Sequence, residues 1–248
     1  MAQVKDNIVV DTETFGLKRG SMMLSLAAIA FDPDDPEAMQ RLLHHPVVRH
    51  DDWQGMILMN DLDPKESDLI VVRIPLIDSI ALGMKADEGT VAWWRGKGSS
   101  LLDYNLLAGP LDGIRSGIEY FDNWLANKRQ QVGKLKAWAN SPVFDFERIM
   151  RPYYEALGRE FPIQFREERC VRTIRDEHKI PYRDMKEMGL RSHNPLHDCL
   201  IQAYDVNYAR ARMRVLETLD PALFEPFMAK IEPLPQALVT DNSGEVVK

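Results

Sequence analysis

Two apolar segments of this chain run directly into acidic residues, and this pattern constrains the fold more than any other feature. The run Ile-Val-Val at 8–10 leads to Asp11 and Glu13, and a second apolar run leads to Asp145. Near the end of the chain, His193 precedes Asp198 with four residues between them. Converging carboxylates repel one another, and bound Mg²⁺ or Mn²⁺ offsets that repulsion. The set predicts a site for two divalent metal ions, of the kind that cleaves phosphodiester bonds.

Asp11 and Glu13 lie two positions apart at the end of the first apolar run. Side chains at i and i+2 of a β-strand point to the same face of the sheet. Both carboxylates are therefore expected on one face, at the carboxyl end of the strand. In open α/β sheets, ligand crevices form at that end.

Asp145 and Asp198 share a local pattern. Each closes a [Ser/Asn]-Pro-x-x-Asp sequence, one beginning at Ser141 and the other at Asn194. Ser and Asn favour the helix N-cap, and Pro favours the first helical position. Both aspartates are thus expected in the first turn of a helix, where the helix dipole favours their ionised form by ~0.3–1 kcal/mol.

His193 precedes the second of these caps and is expected in a loop. A neutral histidine, with an ordinary pKa of about 6.5, accepts a proton from metal-bound water near physiological pH. His193 is therefore a candidate general base. Two interpretations stay open for His197, which lies beside Asp198: a solvated helix residue or a second catalytic histidine.

Strand and helix patterns follow one another along the chain. Apolar runs predict strands near 8–10, 23–31, 69–72, 135–139 and 163–165. Helices are predicted over 114–128, 141–157 and 194–218, together with a short helix that Thr90 is placed to cap. Pro152 is expected to kink or end the 141–157 helix near Arg151. The pattern predicts an α/β domain with a mixed central sheet flanked by helices.

The chain length of 248 residues suits one large domain with an appendage. Residues 1–218 are predicted to form this domain, with a polar, proline-containing loop or insertion at about 33–68. Residues 219–248 are predicted to form a C-terminal extension, whose tail after 232 is expected to be flexible.

The net charge of −7 disfavours a general binder of duplex nucleic acid. Two divalent ions, each +2, would bring −7 to −3, which leaves short or single-stranded ends as substrates.

No run approaches the ~20 apolar residues of a membrane span. The first strand begins too early for a signal peptide. Together with two widely separated cysteines, Cys170 and Cys199, these features predict a cytoplasmic protein with reduced thiols.

The acidic motifs resemble those of the DEDDh 3′-to-5′ exonuclease superfamily. The residues that carry this resemblance are Asp11 to Gly16, Asp145, and His193 with Asp198. More narrowly, Thr-Val-Ala-Trp-Trp at 90–94, Ala-Trp-Ala-Asn at 137–140 and Val-Arg-Thr at 171–173 resemble phage exonucleases and a mycobacterial-type exoribonuclease. The resemblance covers about residues 7–212 without the 33–68 loop. It implies a ribonuclease H-like fold, and a host that is a bacterium or a phage-infected cell.

One departure from the superfamily pattern lies around the last aspartate. The superfamily usually has alanine, an acid and alanine there, where this chain has Pro195, His197 and Cys199. Pro195 is compatible with the start of a helix, so the site is expected to remain intact.

The resemblance implies a role for each residue of the predicted metal site. Asp11 would bridge two Mg²⁺ or Mn²⁺ ions. Glu13 and Asp198 would complete the shell of the first ion, and Asp145 would serve the second, directly or through water. His193 would be the general base, and the product would be a nucleoside 5′-monophosphate.

The resemblance also implies contacts with the substrate, a single-stranded DNA or RNA 3′ end. The backbone of Thr14, Phe15 and Gly16 would hold the terminal nucleotide, with Phe15 or Leu17 against its base. Phe144 is a further candidate for the substrate channel. The choice between RNA and DNA stays open because no residue can be assigned to the 2′-hydroxyl. Homodimerisation, which is common among the resembling proteins, also stays open.

Several features admit a structural as well as a functional interpretation. Trp93 and Trp94 could stack on bases, although core packing is favoured for at least one of them. Arginines at 166, 169, 172 and 175 alternate with acids, which favours an ordinary charged surface. The alternative to an enzyme is a non-catalytic nucleic-acid-binding or assembly module on the same fold. Such a module would be expected to have lost a carboxylate, and all four are present.

Overall fold

The structure, a computed structural model, describes residues 5–49, 62–97, 102, 105–106 and 113–218. The strands are β1 (Asn7–Thr14), β2 (Met23–Phe31), β3 (Leu69–Arg73), β4 (Lys136–Ala139) and β5 (Glu168–Cys170). They form one sheet in the order β3-β2-β1-β4-β5. β1 pairs antiparallel with β2 and parallel with β4. β2 pairs antiparallel with β3, and β4 pairs parallel with β5. The mixed sheet confirms the predicted fold class.

Helices cover both faces of the sheet. They are α1 (Pro36–Leu43), α2 (Pro46–Arg49), α3 (Leu76–Ala81), α4 (Glu88–Lys97), α5 (Ile114–Val132), α6 (Arg151–Ala156), α7 (Val171–Glu177) and α8 (Pro195–Glu217). A π-helix, Val143–Met150, runs directly into α6. Within the described residues, none of the helices combines the length and the apolar character needed to cross a bilayer.

Side chains of β1 alternate between two apolar cores, as the period of a strand requires. Ile8 belongs to the core formed with α5 and the π-helix, whereas Val9 packs in the core formed with α8. Gly117 lets α5 approach β3 closely, because a Cβ there would lie 2.7 Å from Val72 Cγ1. β1 is therefore the central strand that carries Asp11 between two helical layers.

Two local predictions were wrong. The fifth strand is Glu168–Cys170 rather than 163–165, because Ile163 is an isolated core residue in a stretch of bends and turns. Thr90 does not cap α4. Asp87 Oδ1 accepts the Thr90 N–H at 2.9 Å, so the helix begins at Glu88.

The segment predicted as a long loop at 33–68 is partly helical. α1 begins after Asp35, whose side chain accepts the Glu37 N–H. Leu42 of α1 and Val48 of α2 are buried in the core shared with α8. The prediction missed these helices because their short apolar stripe is interrupted by histidines and prolines. Residues 50–61 lie outside the described part of the chain.

Pro152 coincides with a change of helix type. The π-helix ends at Met150 and α6 begins at Arg151, where Pro152 is predicted to disturb the helix. Residues 1–211 form one compact unit, of which the described residues begin at Lys5. The predicted C-terminal extension at 219–248 lies outside the described residues.

Candidate active site

The parallel pairing of β1 and β4 brings the carboxyl ends of both strands to the same edge of the sheet. Asp11 and Glu13 lie at the end of β1, and the π-helix carrying Asp145 begins soon after β4. α8 brings Asp198 in its first turn. The four carboxylates line one cavity of about 830 Å³. The structure thus brings together the four acids that the sequence singles out.

Asp145 is held in place by β1. Its Oδ1 accepts a hydrogen bond of 2.7 Å from Thr12 Oγ1, and its backbone N–H donates to Ser141 O at 3.0 Å. The surrounding π-helix is a rare element that is frequent at functional sites. Sequence reasoning missed Thr12, because a threonine between two acids looks like an ordinary strand residue.

The loop before α8 is fixed on two sides. Asn194 caps α8 as predicted, since its Oδ1 accepts the His197 N–H at 3.3 Å. His193 has a φ of 63°, in the left-handed region that histidine enters more often than most residues. Its N–H donates to Asp198 Oδ2 at 2.8 Å, and its carbonyl accepts from Asn105 Nδ2 at 2.9 Å. These bonds position the predicted base in the loop.

The His193 imidazole lies between acids and an aromatic side chain. Its Nδ1 is 4.0 Å from Glu13 Oε2, and its side chain is 42% exposed. One donor atom from each of Glu13, His193 and Asp198 lies within 4.8 Å of the others. The Trp93 ring meets the imidazole edge to face, with centroids 4.6 Å apart. His193 is therefore placed either to accept a proton or to ligate a cation.

Asp11 is positioned by α8. Gln202 Nε2 donates to Asp11 Oδ1 at 2.7 Å, and Gln202 is buried. Gln202 follows Asp198 by four residues, which places both on one face of the helix. Sequence reasoning missed Gln202, although this spacing could have found it.

Burial raises the pKa of all four of these carboxyl groups, and repulsion from neighbouring acids adds to the effect at Asp11, Glu13 and Asp198. The pKa of Asp11 lies well above its ordinary value, first because of burial and then because of Asp198, Asp145 and Glu13. Burial and the neighbouring acids also raise the pKa of Glu13. Burial raises the pKa of Asp145 to about 6 and that of Asp198 to about 7. These effects outweigh the predicted helix dipole, so a bound cation would favour the ionised form of all four carboxylates.

His197 has a structural position that the sequence did not reveal. It is buried, its Nδ1 accepts the Arg191 N–H at 2.9 Å, and its Nε2 lies 3.0 Å from Val48 O. The prediction of a solvated residue is wrong. Because both ring nitrogens have backbone partners and the side chain does not line the cavity, a second catalytic histidine is not supported either. His197 links α8 to α2.

The predicted substrate-contacting side chains divide into two groups. Three line the cavity: Thr14, Leu17 and Phe144. Leu17 is 65% exposed, which leaves its side chain available to a base. Phe15 and Gly16 do not line the cavity. Phe15 is buried in a small apolar cluster, and Gly16 lies so close to Ser21 Oγ that a Cβ would be 2.5 Å away. Leu17 is therefore favoured over Phe15 for a contact with the base.

The backbone predicted to hold the terminal nucleotide has partners inside the protein. Thr14 O accepts a hydrogen bond of 2.9 Å from Trp94 Nε1. Phe15 N–H donates to Met22 O at 2.8 Å, and Phe15 O accepts from Asp87 N–H at 2.7 Å. Three backbone groups of this segment thus have partners within the protein, and the nucleotide contact expected there stays a prediction. Trp94 is a core residue, as favoured for one of the two tryptophans.

Arginines also line the cavity. Arg172 and Arg175, predicted to belong to an ordinary charged surface, line it together with Tyr182 and Arg183. The last two come from the irregular segment between α7 and α8, where the sequence offered no signal.

A mixed sheet whose central strand ends at two carboxylates, with two more on helices and a histidine in a loop beside them, is the arrangement of an α/β nuclease of the ribonuclease H-like class. Residues 6–209 match the family described as the 3′-5′ exoribonuclease Rv2179c-like domain. The chain belongs to this family of exonucleases, which confirms the predicted DEDDh relationship.

Two further comparisons give less information about the family of this chain. The solved structure of cell-death related nuclease 4 (CRN-4) has 16% sequence identity to the chain and a TM-score of 0.49. The similarity covers 85% of this chain and 65% of that protein, so the chain spans slightly less than two thirds of its length. A search of curated proteins gives no match.

Proposed function

We propose that the protein is a divalent-metal-dependent 3′-to-5′ exonuclease that releases nucleoside 5′-monophosphates from single-stranded RNA. The observation that carries this proposal is the convergence of Asp11, Glu13, Asp145 and Asp198 in one cavity. Buried carboxylates without cationic partners are costly, and here each stands near the others. The family description supports the reaction and its direction.

The carboxylates suit two Mg²⁺ or Mn²⁺ ions, because both metals prefer oxygen ligands. Asp11 would serve both ions, Glu13 and Asp198 the first, and Asp145 the second, as the resemblance to the exonuclease superfamily implies. Gln202 holds Oδ1 of Asp11 and thereby fixes the orientation of the shared carboxylate. When bound, such a metal pair lowers the pKa of the attacking water and stabilises the leaving oxygen.

His193 is proposed to take the proton of the attacking water. The hydrogen bonds to its backbone hold the loop, and the Glu13 carboxylate 4.0 Å from Nδ1 would stabilise the protonated ring. The partly exposed imidazole can pass this proton to solvent. These are the properties that a general base needs near neutral pH.

Apolar side chains beside the acids are proposed to hold the terminal nucleotide. Leu17, Trp93 and Phe144 line the same cavity as the carboxylates. Trp93 is 39% exposed while its ring contacts His193, so it offers a stacking surface next to the proposed base. RNA is proposed over DNA because the family is described as an exoribonuclease.

A side-by-side digestion tests this function. RNA and DNA 20-mers of one sequence, labelled at the 5′ end, are incubated with Mg²⁺, Mn²⁺ or chelator. We expect a ladder that shortens from the 3′ end only with metal, and faster with RNA. D145N should abolish cleavage, whereas E37Q, which removes an exposed carboxylate far from the cavity lining, should not. Faster cleavage of DNA would overturn the sugar assignment.

No cleavage of either polymer under any metal would contradict the enzyme assignment. That result would favour the non-catalytic nucleic-acid-binding module.

A further inference from the structure

The cavity extends beyond the acids and the apolar residues assigned to the terminal nucleotide. Its lining includes a set of residues that we call the arginine wall, consisting of Arg172, Arg175, Tyr182 and Arg183. Nothing in the proposed chemistry uses these residues. Their position in the same cavity as the metal-site carboxylates makes them candidates for a separate part of the substrate.

The arginine wall carries positive charge on a protein whose net charge is −7. Arg172 is exposed, and its guanidinium has no ion-pair or hydrogen-bond partner within the stretches that the structure describes. Arg172 and Arg175 also line a neighbouring cavity of about 390 Å³, to which Lys179 contributes. Asp176 also lines this second cavity and pairs with Lys179, so Arg172 and Arg175 are the basic residues that the two cavities share.

Two of the arginines are held in place by the fold. Arg175 Nε donates to the buried Asp205 at 2.8 Å. Arg183 stacks over the Tyr204 ring, with its guanidinium carbon 4.1 Å from the ring centroid. The Nε of Arg183 is buried and has no hydrogen-bond partner among the described residues.

Tyr182 adds an aromatic side chain to the arginine wall. It is 91% exposed, which is unusual for a large aromatic side chain. Grooves for single-stranded nucleic acids combine positive charge along the backbone with aromatic rings on which bases stack. The arginine wall has both components.

We propose that the arginine wall binds the phosphodiester backbone of the nucleotides that precede the terminal one, with Tyr182 stacked on one of their bases. Arg172 contacts a phosphate directly, while Arg175 and Arg183 form the fixed part of the surface. The substrate class is thus a single strand of several nucleotides rather than a mononucleotide ester. This inference rests on the proposed function, because it takes the carboxylates as the place of cleavage.

The test compares substrates that reach the wall with one that does not. A ribodecanucleotide spans it, whereas the p-nitrophenyl ester of uridine 5′-monophosphate has one nucleotide and one scissile bond. We expect R172A to lower kcat/KM for the decanucleotide about tenfold and to leave that for the ester unchanged. Y182A should lower kcat/KM for the decanucleotide roughly fivefold or more. K134A, which removes an exposed charge outside both cavities, is the matched control.

Binding is measured separately from cleavage by fluorescence anisotropy of a 5′-labelled decanucleotide with D145N protein. R172A in this background should weaken binding about tenfold and reduce the slope of log K against log salt by about 0.7 for one lost phosphate contact. An unchanged slope and affinity, or an equal loss of activity on the ester, would overturn the proposal. If the wild type cleaves neither substrate, the proposed function fails. The anisotropy measurement still shows whether the arginine wall binds the decanucleotide.

Discussion

Replacing Asp198 with asparagine should remove one defined contribution to the pH dependence of stability of the metal-free protein. Burial raises the pKa of Asp198 from its ordinary 3.8 to about 7. The folded protein therefore holds this proton more tightly than the unfolded chain does. The resulting stabilisation is complete below pH 3.8 and is lost as the pH rises to about 7. Asparagine is neutral throughout, so D198N lacks this contribution.

The size of the effect follows from the two pKa values. The difference between 3.8 and about 7 corresponds to about 4 kcal/mol, of which about 3 kcal/mol is lost between pH 5 and pH 8. A unit of roughly 200 residues responds by about 2–4 °C per kcal/mol. Between pH 5 and pH 8, the Tm of the wild type should therefore fall by roughly 6–12 °C more than that of D198N.

The assay is thermal unfolding followed by circular dichroism in chelator, at steps of half a pH unit. E37Q should follow the wild type, because Glu37 is exposed. Excess Mn²⁺ at pH 8 should raise the Tm of the wild type, since the ion binds only the folded protein. The rise should be smaller for D198N, because this variant lacks one of the proposed carboxylate ligands. Parallel Tm curves for wild type and D198N in chelator would refute the reasoning that burial holds this proton.

Three further substitutions separate positioning, catalysis and folding. Q202L removes the hydrogen bond to Asp11 and should weaken Mn²⁺ binding by roughly 10- to 100-fold in calorimetry; unchanged affinity would show that Asp11 is oriented without it. H193A should lower kcat by roughly 10²- to 10⁴-fold with Mn²⁺ affinity retained. A parallel loss of affinity would make His193 a metal ligand instead. H197A leaves the Arg191 N–H without its acceptor and opens a cavity. The free energy of unfolding should therefore fall by about 2–4 kcal/mol, while kcat per folded molecule is retained. A lower kcat at an unchanged Tm would contradict the structural role of His197.

Local chemistry made several parts of the site predictable. Asp11 and Glu13 follow an apolar strand, and the alternation of side chains along a strand puts both on one face. The Asn194 cap and Pro195, two adjacent residues, mark the start of α8. The predictions failed where local patterns were short: Ile163 suggested a strand that forms five residues later, at Glu168.

The sequence by itself determined which acids and which histidine belong to the candidate site, because each of them follows a short-range rule of strand or helix geometry. Only the tertiary structure decided how they interact, since those contacts join distant parts of the chain. Gln202 donates a hydrogen bond to Asp11, 191 residues away in the sequence, and the His197 ring contacts the Val48 carbonyl, 149 residues away. The raised pKa of Asp198 depends on burial that no local pattern encodes. The arginine wall likewise exists only because the fold brings α7 and the segment after it to the cavity that the acids line.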